Sequence, residues 1–214
     1  MDSCIPSPVL DNCVHSLHEM WGSQFSGFQV MDLLTYHPVN FHPLIQPINL
    51  QGAHYVLLSN LEVPAVQRSN TLKCYDPLHS NKHHGQIAVS AASLLGIQPD
   101  EVTVEYPLVP QQNQPVKELF MYDQASNACR AYTIAFAVAL LCGSNPSQLR
   151  SVDEVELRKA ILILAQETFD GLRELRSLLG LESENQIKLK ALEKEIEMKK
   201  YALQKCTCKM FNDI

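Results

Sequence analysis

A thiol that attacks a carbonyl needs a base to take its proton, a third group to orient that base, and a donor to hold the developing oxyanion. The chain carries one candidate of each kind, in order: His54, Asp76, a glutamine and Cys129. Place sets Cys129 apart from the other cysteines, since it opens the apolar run 129–142, which reads as a buried helix. A cysteine at a helix N-terminus feels the positive end of the dipole, which favours thiolate and is expected to lower its pKa. Cys142 sits at the far end of the same run, where the dipole opposes a thiolate. Two glutamines compete as oxyanion donor. Gln112 follows a strand-like segment, Gln124 lies closer to Cys129, and strand-end register favours Gln112.

Rival chemistries find less support. His79, His83 and His84 crowd one segment after Asp76, but no Cys-x-x-Cys or His-Glu-x-x-His spacing accompanies them, so they read as a solvated loop and no metal site is assigned. Cys206 and Cys208 form a two-thiol tail without a partnering pair. There is no Gly-rich phosphate loop and no Gly-x-Ser-x-Gly elbow. No cofactor is expected.

The elements that must position these residues follow from periodicity and turn chemistry. Val14, Leu17, Met20 and Trp21 have helical spacing within 10–34, with Asp11 or Asn12 as N-cap. Residues 36–47 repeat His-Pro and read as an extended connector. Strands are predicted at 55–58 and 71–75, neighbours in one sheet, with a third at 102–106 and a fourth at 119–122. A helix over 86–95 should bury Ile87, Val89, Ala92 and Leu95 and end on Gly96. After the buried helix, Gly143, Ser144, Asn145 and Pro146 form a stop, and Ser151 to Glu154 open a further helix in capping-box style that runs to about Leu179. Gly180 breaks it. Beyond, Leu189, Leu192, Ile196 and Leu203 mark a charged helix, either a surface helix of its own domain or a short coiled coil through which the chain self-associates.

Composition bounds the setting. The 214 residues are 46% hydrophobic and 19% charged, enough for one sizeable core. A net charge of -6 without a basic patch argues against nucleic acid as partner. The longest apolar run, 131–142, is too short to span a bilayer, and the first residues lack a secretory signal pattern. Seven irregularly spaced cysteines argue for a reducing compartment, so an intracellular location, nucleus or cytoplasm, is expected.

Four stretches then resemble the ubiquitin-like-protein-specific cysteine proteases of the SUMO-deconjugating type, especially transposon-encoded members. Gly52-Ala53-His54-Tyr55-Val56-Leu57 is similar to the family's His-Trp strand with Tyr for Trp. Leu72-Lys73-Cys74-Tyr75-Asp76-Pro77-Leu78 is similar to its Tyr-Asp-Ser-Leu segment, and 102–112 to the strand leading into its glutamine. Cys129-Arg130-Ala131-Tyr132-Thr133-Ile134-Ala135-Phe136-Ala137 resembles its Cys-Gly-Leu-Phe-Ala-Ile-Ala-Phe-Ala helix. The likeness covers roughly 10–158. It implies an α+β fold with a papain-like core built on a small mixed sheet and helices, plus a C-terminal helical extension, divided as a catalytic domain over 1–150 and an extension over 151–214. It implies His54 as general base, Asp76 as its orienter, Cys129 as nucleophile, and hydrolysis of a peptide or isopeptide bond on a ubiquitin-like modifier or protein substrate. The alternative is a catalytically inactive protease-like module that binds such a partner. One departure bears on that choice: Arg130 stands where the family has glycine. Its bulk would obstruct a substrate backbone unless it points away, whereas its charge would help hold a thiolate.

Overall fold

Strand β3, His54–Ser59, is buried at every position, which places it in the middle of a sheet with layers on both faces. In a computed structural model that describes residues 7–21, 25–29, 36–39, 43–50, 54–110, 122–149, 152–166 and 168–181, the sheet has five strands in the order β1-β2-β3-β4-β5. These are β1 Ser26–Gly27, β2 Leu44–Leu50, β3, β4 Thr71–Tyr75 and β5 Thr103–Glu105. β2, β3 and β4 are antiparallel neighbours, and the outer pairs β1 with β2 and β4 with β5 are parallel. Parallel strands need a crossover, and between β4 and β5 it is helix α2, His84–Leu95.

Alternation along β3 and β4 sorts the core into two layers. Tyr55, Leu57 and Tyr75 face helices α1 (Ser7–Trp21), α3 (Tyr122–Leu141), α4 (Glu154–Gln166) and α5 (Thr168–Leu178). Val56, Leu58, Leu72 and Cys74 pack with Ile87, Ala91 and Leu94 of α2. The fold is therefore a mixed α+β one, as expected. α3 is the central helix: Ala131, Ile134, Phe136, Ala137 and Val138 are fully buried, and the small alanines allow close approach to β3.

Several boundaries move. α1 begins before Asp11 and Asn12, so neither caps it; Pro8 is tolerated in a first turn whose N–H groups have no intrahelical acceptor. The connector expected over 36–47 becomes strand β2 from Leu44, although Pro47 lies within it. The side-chain amide of Gln46 accepts from Gln29 N (2.7 Å) and donates to Gln29 O (2.9 Å), doing for that stretch what a neighbouring backbone would otherwise do. α2 buries Ala91 and Leu94 while Val89 is exposed, and ends as expected on Gly96, at φ 66°. Tyr122, expected in a fourth strand, starts α3, and 119–121 lie outside the described residues.

At the C-terminal side, Asp153 is the cap of α4: its Oδ1 accepts from Val155 N and Glu156 N, at 2.9 and 3.1 Å. Ser151 is outside the described residues. The single helix expected to run to Leu179 is two, and Leu157, Ala160, Ile161, Leu164, Leu172, Leu175 and Leu179 join the core of α1 and α3. The first compact unit extends to Leu181. The amphipathic segment beyond Glu182, with Cys206 and Cys208, lies outside the described residues. No described helix is long and apolar enough to cross a membrane.

Candidate active site

His54 is the first residue of β3 and Asp76 directly follows β4. Because these strands are antiparallel neighbours, both residues emerge at one end of the sheet. Their side chains meet, His54 Nε2 to Asp76 Oδ1 at 2.7 Å, and both are almost fully buried. The turn after β4 fixes the carboxylate: Oδ1 also accepts from Leu78 N at 2.8 Å, and Oδ2 from Ser80 N at 2.9 Å. Burial alone would raise the Asp76 pKa, but the bond and charge of His54 and the two backbone N–H groups outweigh it and hold the pKa below its ordinary value. Asp76 is thus an ionised acceptor, which makes Nε2 the donor and leaves Nδ1 of a neutral ring as the basic nitrogen. That Nδ1 is buried and finds no hydrogen-bond partner among the described residues. A buried unsatisfied nitrogen on an otherwise well-held ring is the atom a general base would use.

Cys129 comes to the same end of the sheet. The backbone N–H of Tyr55, the residue after His54, and that of Arg130 both hydrogen-bond toward its sulfur. Its carbonyl accepts from Thr133 Oγ1 at 2.8 Å. Cys129 is not, however, at the start of its helix. α3 begins at Tyr122, a stretch with neither Gly nor Pro up to Leu141, so the sulfur lies beyond the first turn in which the dipole acts. The expected lowering of its pKa is therefore reversed: burial pushes the thiol up to about 11, against the pull of the Tyr55 and Arg130 N–H groups and the Arg130 charge. At neutral pH the resting group is therefore a neutral thiol.

Arg130 does not project into open space. Its guanidinium carbon lies 4.7 Å from the centroid of the buried Tyr55 ring, a cation–π arrangement. Of the two glutamine candidates, Gln112 lies outside the described residues, and Gln124 falls in the first turn of α3, where only the backbone is described.

The histidine segment after Asp76 differs from the solvated loop expected. His79 adopts φ 49° and bonds through Nε2 to Val109 O at 3.0 Å, tying residues 107–110 to the Asp76 turn. His84 stacks on Tyr106 at 4.0 Å, and the His83 ring lies 5.7 Å from that of His54. Burial, the His54 charge and Lys82 outweigh Asp76 and lower the His83 pKa. Nothing local in the sequence marks these partners, because each lies on a different element. Among the described residues no group of His, Cys, Asp and Glu could hold a metal ion.

The buried thiols carry a pH signature. Burial raises Cys13 to about 12 and Cys129 to about 11, so the folded chain keeps protons that the unfolded chain loses near pH 9. Above that pH the unfolded state binds fewer protons, and stability falls by about 1.4 kcal/mol per pH unit per thiol. Urea midpoints measured from pH 8 to 10 are expected to change little up to about pH 9 and to drop above it; a flat profile contradicts these burials.

No family model and no curated protein matches the sequence. Two solved structures are similar. "SUMO protease Ulp1 with the catalytic cysteine oxidized to a sulfenic acid" aligns at TM-score 0.41 and 16% identity, over 60% of this chain and 54% of that one. This chain thus spans about half the length of that structure. "Crystal structure of the de-sumoylating protease" aligns at TM-score 0.38 and 11% identity, over 95% of this chain and 89% of that one.

Proposed function

We propose that this protein is a cysteine-type peptidase or isopeptidase acting on ubiquitin-like modifiers or their conjugates, with Cys129 as nucleophile, His54 as general base and Asp76 as its orienter. The observation that carries the reading is the buried His54–Asp76 pair at 2.7 Å, whose Nδ1 is left available while the next residue's N–H bonds toward the Cys129 sulfur. His54 Nδ1 takes the thiol proton as sulfur attacks the scissile carbonyl, and returns it to the leaving amine. A thioester remains on Cys129, and water activated by the same nitrogen hydrolyses it. Asp76 keeps Nε2 protonated throughout and stabilises the imidazolium that forms in between. The modifier class rests on the four sequence stretches that resemble ubiquitin-like-protein-specific proteases. A panel of modifiers carrying a fluorogenic C-terminal amide tests it: wild type should release fluorophore from at least one member and Cys129→Ala from none. Equal turnover by both proteins, or none by wild type across the panel, contradicts the reading.

One observation favours a second reading, a protease-like module that binds its partner without cutting. Cys129 is 0% exposed and its thiol is pushed up to about 11. Modifier binding that survives Cys129→Ala, with no turnover by wild type, would select it.

A further inference from the structure

Resting on the assignment of Cys129 as nucleophile, we infer that Arg130 is a positioning residue of the site: seated on the Tyr55 ring, it ties the helix bearing Cys129 to the strand bearing His54 and holds a fixed positive charge beside the sulfur. Consecutive residues on a helix diverge by about 100°, so the side chain after a nucleophile ordinarily turns away from it. Here the long arginine stem brings the guanidinium back to 4.7 Å from the Tyr55 centroid. Tyr55 is the hinge of the arrangement: its N–H bonds toward the sulfur, its ring seats the guanidinium, and its chain neighbour is His54. The contact is therefore between the residue after the proposed nucleophile and the residue after the proposed base.

This seat resolves the two opposed effects of an arginine in place of glycine. Held over a buried ring, the guanidinium is kept in place, and its charge favours the thiolate. The groups that face the sulfur divide by sign. Asp76, at the end of β4, opposes the thiolate, and Arg130 on α3 favours it together with the N–H groups of Tyr55 and Arg130. His54, on β3, bonds to Asp76, and His83, before α2, faces the His54 ring. With burial working against ionisation and the helix N-terminus too far away, Arg130 is, among the described residues, the side-chain cation that lowers the cost of forming the thiolate.

The test separates charge from packing. Arg130→Met keeps a long stem on the Tyr55 ring without charge, and Arg130→Lys keeps the charge. The measurement is the rate constant for iodoacetamide modification of Cys129, mapped by mass spectrometry from pH 7 to 10, with Cys142 of the same protein as internal control. Arg130→Met is expected to slow Cys129 modification about tenfold at each pH, the effect of about one unit of pKa, and Arg130→Lys to restore most of it. Cys142, whose ionisation responds to Arg176 and not to Arg130, should be unchanged in both. An Arg130→Met rate equal to wild type, or an Arg130→Lys rate as slow as Arg130→Met, overturns the inference. A rise at Cys142 would show that the substitution loosens the fold instead, which also counts against a role for the charge. Because the readout is the reactivity of the thiol, compared among variants with the same buried sulfur, it stands whether or not any modifier is hydrolysed, so its failure is distinguishable from failure of the proposed function.

Discussion

Replacing His54 with alanine is expected to reduce cleavage of a modifier amide by about 10³- to 10⁴-fold, the range associated with removing a positioned general base. The effect should be large because the resting thiol, pushed up to about 11, gives almost no thiolate at neutral pH without a base to draw its proton. Asp76→Asn should cost nearly as much for a different reason. The carboxylate accepts from His54 Nε2, Leu78 N and Ser80 N, with both oxygens occupied. An amide has one acceptor oxygen, so its NH₂ must face either the His54 ring or the Ser80 N–H. Facing the ring, it would require Nε2 as acceptor and move the ring proton to Nδ1, blocking the base. A His54→Ala rate within a few-fold of wild type would remove His54 from the mechanism, and an Asp76→Asn rate that close would remove the need for the Asp76 charge.

Gly171→Ala should be the most damaging conservative change in the helical layer. A Cβ at Gly171 would come within 2.1 Å of Leu164 N and 2.2 Å of Leu164 Cα, both backbone atoms at the end of α4 that cannot swing aside. Relieving that overlap requires α4 and α5 to part, which exposes Leu164, Leu172 and Leu175 together. A cost of about 3 kcal/mol follows, which for a domain of this size lowers Tm by about 10 °C. Gly85→Ala supplies the opposite sign. Gly85 lies in α2 with nothing within 4 Å of its added Cβ, so alanine there should gain about 0.5–1 kcal/mol from helix propensity. Thermal melts of the two variants that shift the same way would contradict the packing described.

What the sequence made legible was local. Strands β3 and β4 read correctly because their apolar runs are short, β-branched or aromatic, and bounded by turn residues. The same pattern placed His54 at the head of one and Asp76 at the tail of the next. The stop at Gly143 to Pro146 was legible for the same reason: Gly143 takes φ 74° and Asn145 caps the short helix that Pro146 begins. What escaped was set by partners distant in the chain. Pro47 argued against a strand until the Gln46 amide took over bonding to Gln29. The break between α4 and α5 carries no proline, and the nearest glycine, Gly171, lies inside α5, where its need is a backbone seven residues earlier. The polarity of 122–127 hid the first turns of α3, and with them the reason why Cys129 lacks help from the helix dipole.

The most direct test of the account is covalent. A ubiquitin-like modifier with a C-terminal electrophile should form one stable adduct with wild type, mapped by mass spectrometry to Cys129 alone among the seven cysteines. The adduct should be absent from Cys129→Ala and strongly reduced in His54→Ala. An adduct at another cysteine, or one that persists in Cys129→Ala, would contradict the assignment of Cys129 as the nucleophile.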